Sequence, residues 1–184
     1  GHFPSFDFVR ELKKELNKDN GSIFMYSSHE NTYLNMILQQ IVDYEGELPD
    51  REELVSFIKS ITHKSSAFKG NMEYWKGERD MIDLLDILKK HYYNPYTNGS
   101  NSIKDVLPAI LKSSDFLKKK YSQPIYGSDK LKSINFKNKR WIEFDENGEV
   151  VDPYKQLPET FEGIDEKIKK DFINSENIAD GGAA

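Results

Sequence analysis

The sequence predicts a helix-rich α+β fold carrying a small sheet and one β-hairpin. Apolar residues recur at helical spacing in successive stretches of the 184-residue chain, the mark of helices with one buried side. Two short apolar runs, at 23–26 and at the start of RDMIDLLDILKKHYY, pass directly into such stretches and read as strands feeding helices. In RWIEFDENGEVVDPY two strand-like segments flank Glu146-Asn147-Gly148, which has the composition of a hairpin turn.

In chain order, Pro4-Ser5 opens the first helix, with Asp7 in its first turn and Phe6, Val9, Leu12 and Leu16 along one side. Asn20-Gly21 is its expected stop. The compact run at 23–26 is expected to be a buried strand. Leu34, Ile37, Leu38, Ile41 and Val42 then mark the inward side of a second helix, and counting back four residues from Leu34 puts Glu30 on that side, in the first turn. Pro49-Asp50 starts a third helix, where Asp50 and Glu53 have capping-box-like spacing and Leu54, Phe57, Ile58 and Ile61 follow. Residues 62–73 are polar and read as a loop. Leu84, Leu85, Leu88 and Tyr92 return to helical spacing, and NPYTNGSN is turn chemistry. Ser102 begins a further helix, with Asp105 three residues on, which Pro108 is expected to kink or restart.

Composition narrows the function classes. Charged residues make up 31% and hydrophobic residues 37%, and the mean hydropathy is −0.72, so no membrane role is expected and no run reaches the length of a span. Abundant Phe and Tyr favour a packed domain over disorder. The absence of cysteine excludes disulfides and thiolate metal sites and fits a reducing cytoplasm. Residues 1–184 read as one domain. Without a starting Met, and with IADGGAA at the other end, the chain is expected to be an excerpt of a larger protein.

The net charge of −5 conceals segregation. Residues 112–140 hold nine Lys and Arg against two Asp, with Phe116, Tyr121, Tyr126 and Phe136 interleaved and Trp141 next, giving a basic aromatic segment over 112–142. Residues 143–180 hold twelve acids against four Lys, and 143–184 forms an acidic tail region. A basic segment with rings suits single-stranded nucleic acid, with phosphates on Lys and bases on aromatics. The plainer reading is a solvated lysine-rich helix whose rings turn into the core.

Glu30 also has two readings. Ser27-Ser28-His29-Glu30 fits the capping box, in which Glu reaches back to a free amide. An inward acid at a helix start, just past a strand, is equally how two-metal nucleases carry ligands, and His29 beside it is a candidate ligand or acid/base group. Asp83 is either a helix cap or a metal-facing carboxylate. The four His lack H-x-x-x-H spacing, so a zinc site is not expected. Neither a Walker motif nor a G-x-S-x-G elbow is present.

YSSHENTYLNMI, MIDLLDIL, GSNSIKDVLPAIL, FLKKKYSQPIYG, DPYKQLP and the terminal DGGAA resemble, in that order, a bacterial family named as a domain of unknown function (DUF2779). That family in turn resembles the DEDD 3′–5′ exonucleases of the ribonuclease H-like fold. The resemblance implies a partial ribonuclease H-like α/β core, Mg²⁺ or Mn²⁺ as cofactor, and DNA or RNA as partner. Glu30 falls at the second acid position, as metal ligand and catalytic residue. Asp83 falls at the acid opening the next helix, also catalytic, and Ser102-Ile103-Lys104 at a helix start that usually reads Ser-Leu. Lys104, or Lys118, Lys119 and Lys120, would then contact phosphate. No Asp-x-Glu strand precedes Ile23 and no Tyr-x-x-x-Asp helix follows DGGAA, so part of the implied catalytic site lies outside this sequence. The expected function is a nucleic-acid-processing domain resembling a metal-dependent exonuclease, itself inactive in this excerpt. The alternative is a non-catalytic binding or scaffold domain.

Overall fold

The structure is a computed structural model and describes residues 3–71 and 73–156. The helix-rich α+β architecture is present: the described residues hold six α-helices and one two-stranded parallel sheet. The chain divides into two compact units, Gly1–Tyr93 and Asn94–Ala184.

In the first unit, α1 (Pro4–Leu16), α2 (His29–Asp43) and α3 (Arg51–Ile61) pack on one another. Phe6 and Val9 of α1, Leu34, Leu38 and Ile41 of α2, and Leu54, Phe57, Ile58 and Ile61 of α3 meet in a single core, as their spacing predicts. The helix ends are closed by two arginines. Arg79 donates to the carbonyls of Leu16 and Gly21, each at 3.0 Å, so α1 stops at Leu16, before the Asn20-Gly21 expected to end it. Arg51 donates to the carbonyls of Ile41, Tyr44 and Gly46 and satisfies the C-terminal end of α2.

The expected capping box of α3 is absent. Asp50 is the N-cap, but its side chain caps no amide. Its carboxylate instead takes Arg10 Nε at 2.6 Å and Nη2 at 2.9 Å, while Glu53 pairs with Lys13. Hydrogen bonding from the Arg10 guanidinium holds the Asp50 carboxyl below its ordinary value of 3.8. A depressed carboxylate stabilises the fold above that ordinary value and loses its contribution as pH falls through the lower, folded-state value. Asp50→Asn is therefore expected to lower stability at neutral pH by about 1 kcal/mol or less, the scale of solvent-screened pairs. The gap from the parent protein should close below pH 3.8 in urea melts.

The sheet is smaller than the apolar runs suggested. β1 (Phe24–Met25) pairs in parallel with β2 (Ile82–Asp83), Phe24 against Ile82 and Met25 against Asp83. Met25 is buried, but Phe24 is 56% and Ile82 38% exposed, so the expected buried strand at 23–26 is covered on one face only. β2 runs into α4 (Leu84–His91), whose apolar stripe is at most half-buried. The polar stretch at 62–73 is anchored at its start: Lys64 N donates to Trp75 O at 3.0 Å and Gly77 N to Thr62 O at 2.9 Å.

The second unit is built on α5 (Ile103–Ser113) and α6 (Asp115–Tyr121). Ser102 caps α5 and Ser114 caps α6, each hydroxyl accepting a backbone amide at 3.3 Å. α5 runs through Pro108 as one helix, so the expected restart does not occur. The hairpin exists in reduced form, as one antiparallel bridge between Phe144 and Val150 around left-handed Gly148. Of the acidic tail region, residues 157–184 lie outside the described residues.

Candidate functional site

Glu30 stands in the first turn of α2, shortly after β1, and Asp83 is the last residue of β2 and the N-cap of α4, so both lie towards the C-terminal end of the β1–β2 pair. Parallel strands ending at helix N-termini are where α/β folds place ligands. Glu30 is in the first turn of α2 as expected, yet it is exposed rather than inward. The position that faces in is Asn31. Asn31 and Asn35 are buried beside Leu34, Leu38 and Ile41, which turns the centre of the buried face away from Glu30. The capping box also fails to form. Ser28, not Ser27, is the N-cap, and Ser27 takes a left-handed φ of 69°. His29 is exposed and packs edge-on against Tyr33.

Asp83 acts as a cap. Its Oδ1 accepts from Leu85 N at 2.9 Å, closing the start of α4, and from Ser27 N at 2.8 Å, which holds the left-handed turn after β1. One carboxylate oxygen thus joins the two strand ends. Asp83→Ala is expected to cost about 2 kcal/mol, at the upper end for a lost N-cap. Asp83→Asn keeps the accepting oxygen and should cost less than about 0.5 kcal/mol. Thermal melts of the two variants distinguish a cap, which needs an oxygen, from a site that needs the charge.

Among the described residues no three His, Cys, Asp or Glu come together to hold a metal ion. The implied Mg²⁺ or Mn²⁺ has Glu30 and Asp83 as candidates and no third donor there, and divalent cations need several oxygens.

Sequence reasoning passed over a polar network in the same unit. Asn35 Nδ2 donates to Asn31 O at 2.8 Å and His63 O at 3.0 Å, and its Oδ1 accepts from Ser65 N at 3.0 Å. Asn31 Oδ1 accepts from His63 N at 3.1 Å. His63 Nδ1 lies 3.0 Å from Asp80, a carboxylate that fixes the ring. The signal available was two asparagines four apart on an otherwise apolar helix face.

In the second unit Lys120 and Lys139 of the basic aromatic segment lie over its rings. Lys119 is exposed, Lys118 pairs with Asp115 at 3.3 Å, and Lys120 sits 5.3 Å over the Tyr121 ring. Lys104 is half-buried near the start of α5. Tyr126, Phe136 and Trp141 pack edge-to-face at 5.1–6.1 Å, and Lys139 lies 5.5 Å over Trp141. Tyr121, Tyr126 and Trp141 are neither fully buried nor free; they line an apolar pocket of about 460 Å³ with Leu107, Leu117 and Tyr154. Burial pushes the Tyr154 phenol up, aided by Asp152. Among the described residues of the tail region, Glu149 bonds Lys112 at 2.7 Å and raises it.

A family model described as Domain of unknown function (DUF2779) matches residues 1–102. The chain belongs to that family. No curated protein and no solved structure matches it. The DUF2779 match takes in the whole first unit and stops at Ser102, the cap of α5, so the pocket and its lysines lie outside it. Among the described residues no helix is long and apolar enough to cross a membrane.

Proposed function

We propose that this chain is a nucleic-acid-processing domain whose second unit holds a single strand. The observation that carries this reading is the placing of Lys120 over half-exposed Tyr121 and of Lys139 over half-exposed Trp141, with Lys118 and Lys119 beside Lys120 on α6. Lysines neutralise phosphates and rings stack on bases, the two contacts that sequence-tolerant strand binding uses. A metal-dependent 3′–5′ exonuclease of the ribonuclease H-like type is the activity this binding would serve. The parallel β1–β2 pair ending at two helix starts supports that type, as does the exposed Phe24–Ile82 face, since parallel sheets are covered on both sides.

The capping role of Asp83 favours a second reading, a non-catalytic binding domain. On either reading the 184-residue chain binds single strands and does not hydrolyse them with Mg²⁺ or Mn²⁺. Affinity for a short oligonucleotide should fall steeply with salt. Replacing Lys118, Lys119 and Lys120 together by Ala should lower the slope of log affinity against log salt by about two to three. An unchanged slope would remove α6 from the interface, and hydrolysis lost on Glu30→Ala would show that the acids present do suffice.

A further inference from the structure

Resting on that reading, we infer that the apolar pocket of the second unit takes one unpaired nucleobase, with the adjoining phosphates carried by the lysines at its walls. At about 460 Å³ the pocket lies in the size range of small-ligand sites. Leu107 and Leu117 supply aliphatic wall, and Tyr121, Tyr126, Trp141 and Tyr154 supply rings. None of the described residues that line it carries a carboxylate, amide or guanidinium; the polar groups of its side chains are phenol hydroxyls and an indole N–H, and its ring faces are open to stacking by any base.

Positive charge is stationed on the walls themselves: Lys120 Nζ lies 5.3 Å from the centre of the Tyr121 ring and Lys139 Nζ 5.5 Å from that of Trp141. A flat apolar group attached to negative charge complements both features, and a nucleotide in a strand is such a group. The rings are held by contacts that need no ligand. Trp141 N and Ile142 N both donate to Tyr121 O, at 3.0 and 3.1 Å, and Lys139 N donates to Tyr126 O at 2.7 Å. Edge-to-face packing with Tyr126 at 5.6 Å and Phe136 at 5.1 Å fixes the indole. A base paired within a duplex cannot enter, so the pocket selects single strands or frayed ends, without preference for sequence.

The test titrates the 184-residue chain at low salt with a short oligodeoxythymidylate, with an abasic strand of equal length and charge, and with the matching duplex. The base-bearing strand should bind about tenfold tighter than the abasic one, the scale of one stacked base, and should change the intrinsic fluorescence. Trp75 is buried and bonded to Thr62, so the change reports Trp141 and should vanish in Trp141→Phe. Leu107→Trp, which fills the pocket from the α5 side, should erase the preference for bases while leaving the salt dependence intact. Equal binding of both single strands, with a steep salt slope, would overturn the base pocket and leave the phosphate-binding reading standing. Binding of neither strand would overturn both. A Leu107→Trp chain that gains thermal stability with the base preference unchanged would show that the pocket belongs to the chain's own packing, and would also overturn the inference.

Discussion

Asn35→Leu is expected to destabilise the first unit by about 3 kcal/mol, although it puts an apolar residue at a fully buried site of similar volume. Asn35 is 0% exposed, and its side-chain amide makes three hydrogen bonds to backbone groups of α2 and of residues 63–65. Leucine leaves the His63 carbonyl and the Ser65 amide without these partners, and each buried unsatisfied group costs roughly 1–3 kcal/mol. Asn35→Asp should be worse at neutral pH despite its shape, because a carboxylate would face the carbonyl oxygens of Asn31 and His63. Acidification should partly relieve that variant, since a protonated carboxyl can donate one of the two lost bonds. Urea melts report the cost, and hydrogen exchange should show the Ser65 amide opening first. A neutral outcome for Asn35→Leu would mean that the bonds of the Asn35 amide contribute nothing net to holding residues 63–65.

Gly127→Ala is expected to have the largest effect in the second unit. Gly127 has a φ of 76°, and an added Cβ would collide with the backbone oxygen of Phe136 and lie 2.9 Å from Lys137 Cα. Backbone must move, which strains the 2.7 Å bond from Gly127 N to Leu131 O and the bridge between Tyr126 and Lys139 that brings Tyr126 beside Trp141. A loss of about 3 kcal/mol or more is expected, strain plus disrupted packing. The near-ultraviolet dichroism of the ring cluster should collapse. Gly148→Ala is the control: its φ is 77° but nothing lies within 4 Å of the added carbon, so only the conformational cost of about 1 kcal/mol applies.

The helices α1, α2 and α3 were legible because their apolar stripes repeat over several turns and meet in one core. The stripe of α4 was equally legible, but no residue of α4 is buried, since periodicity reports a face and not what covers it. Glu30 was misplaced by a single position. The apolar residues of α2 alone centre the buried face nearer Glu30, and the two buried asparagines that shift it are polar, so a hydropathy pattern omits them. Asp83 carries both of its meanings in one residue type, and the two backbone donors that make it a cap are visible only in the fold. The aromatic pocket was not legible at all, because its walls come from positions as far apart as Leu107 and Tyr154. What the sequence offered there was the raw material, lysines interleaved with rings.

Ultraviolet crosslinking of the 184-residue chain to a short single strand at low salt, followed by peptide mapping, tests most directly whether the second unit is the nucleic-acid face. The predicted result is adducts at Tyr121, Tyr126 or Trp141, weakened as salt rises and reduced when Lys118, Lys119 and Lys120 are replaced by Ala. Adducts confined to residues 3–93, or none at any salt concentration, would contradict it.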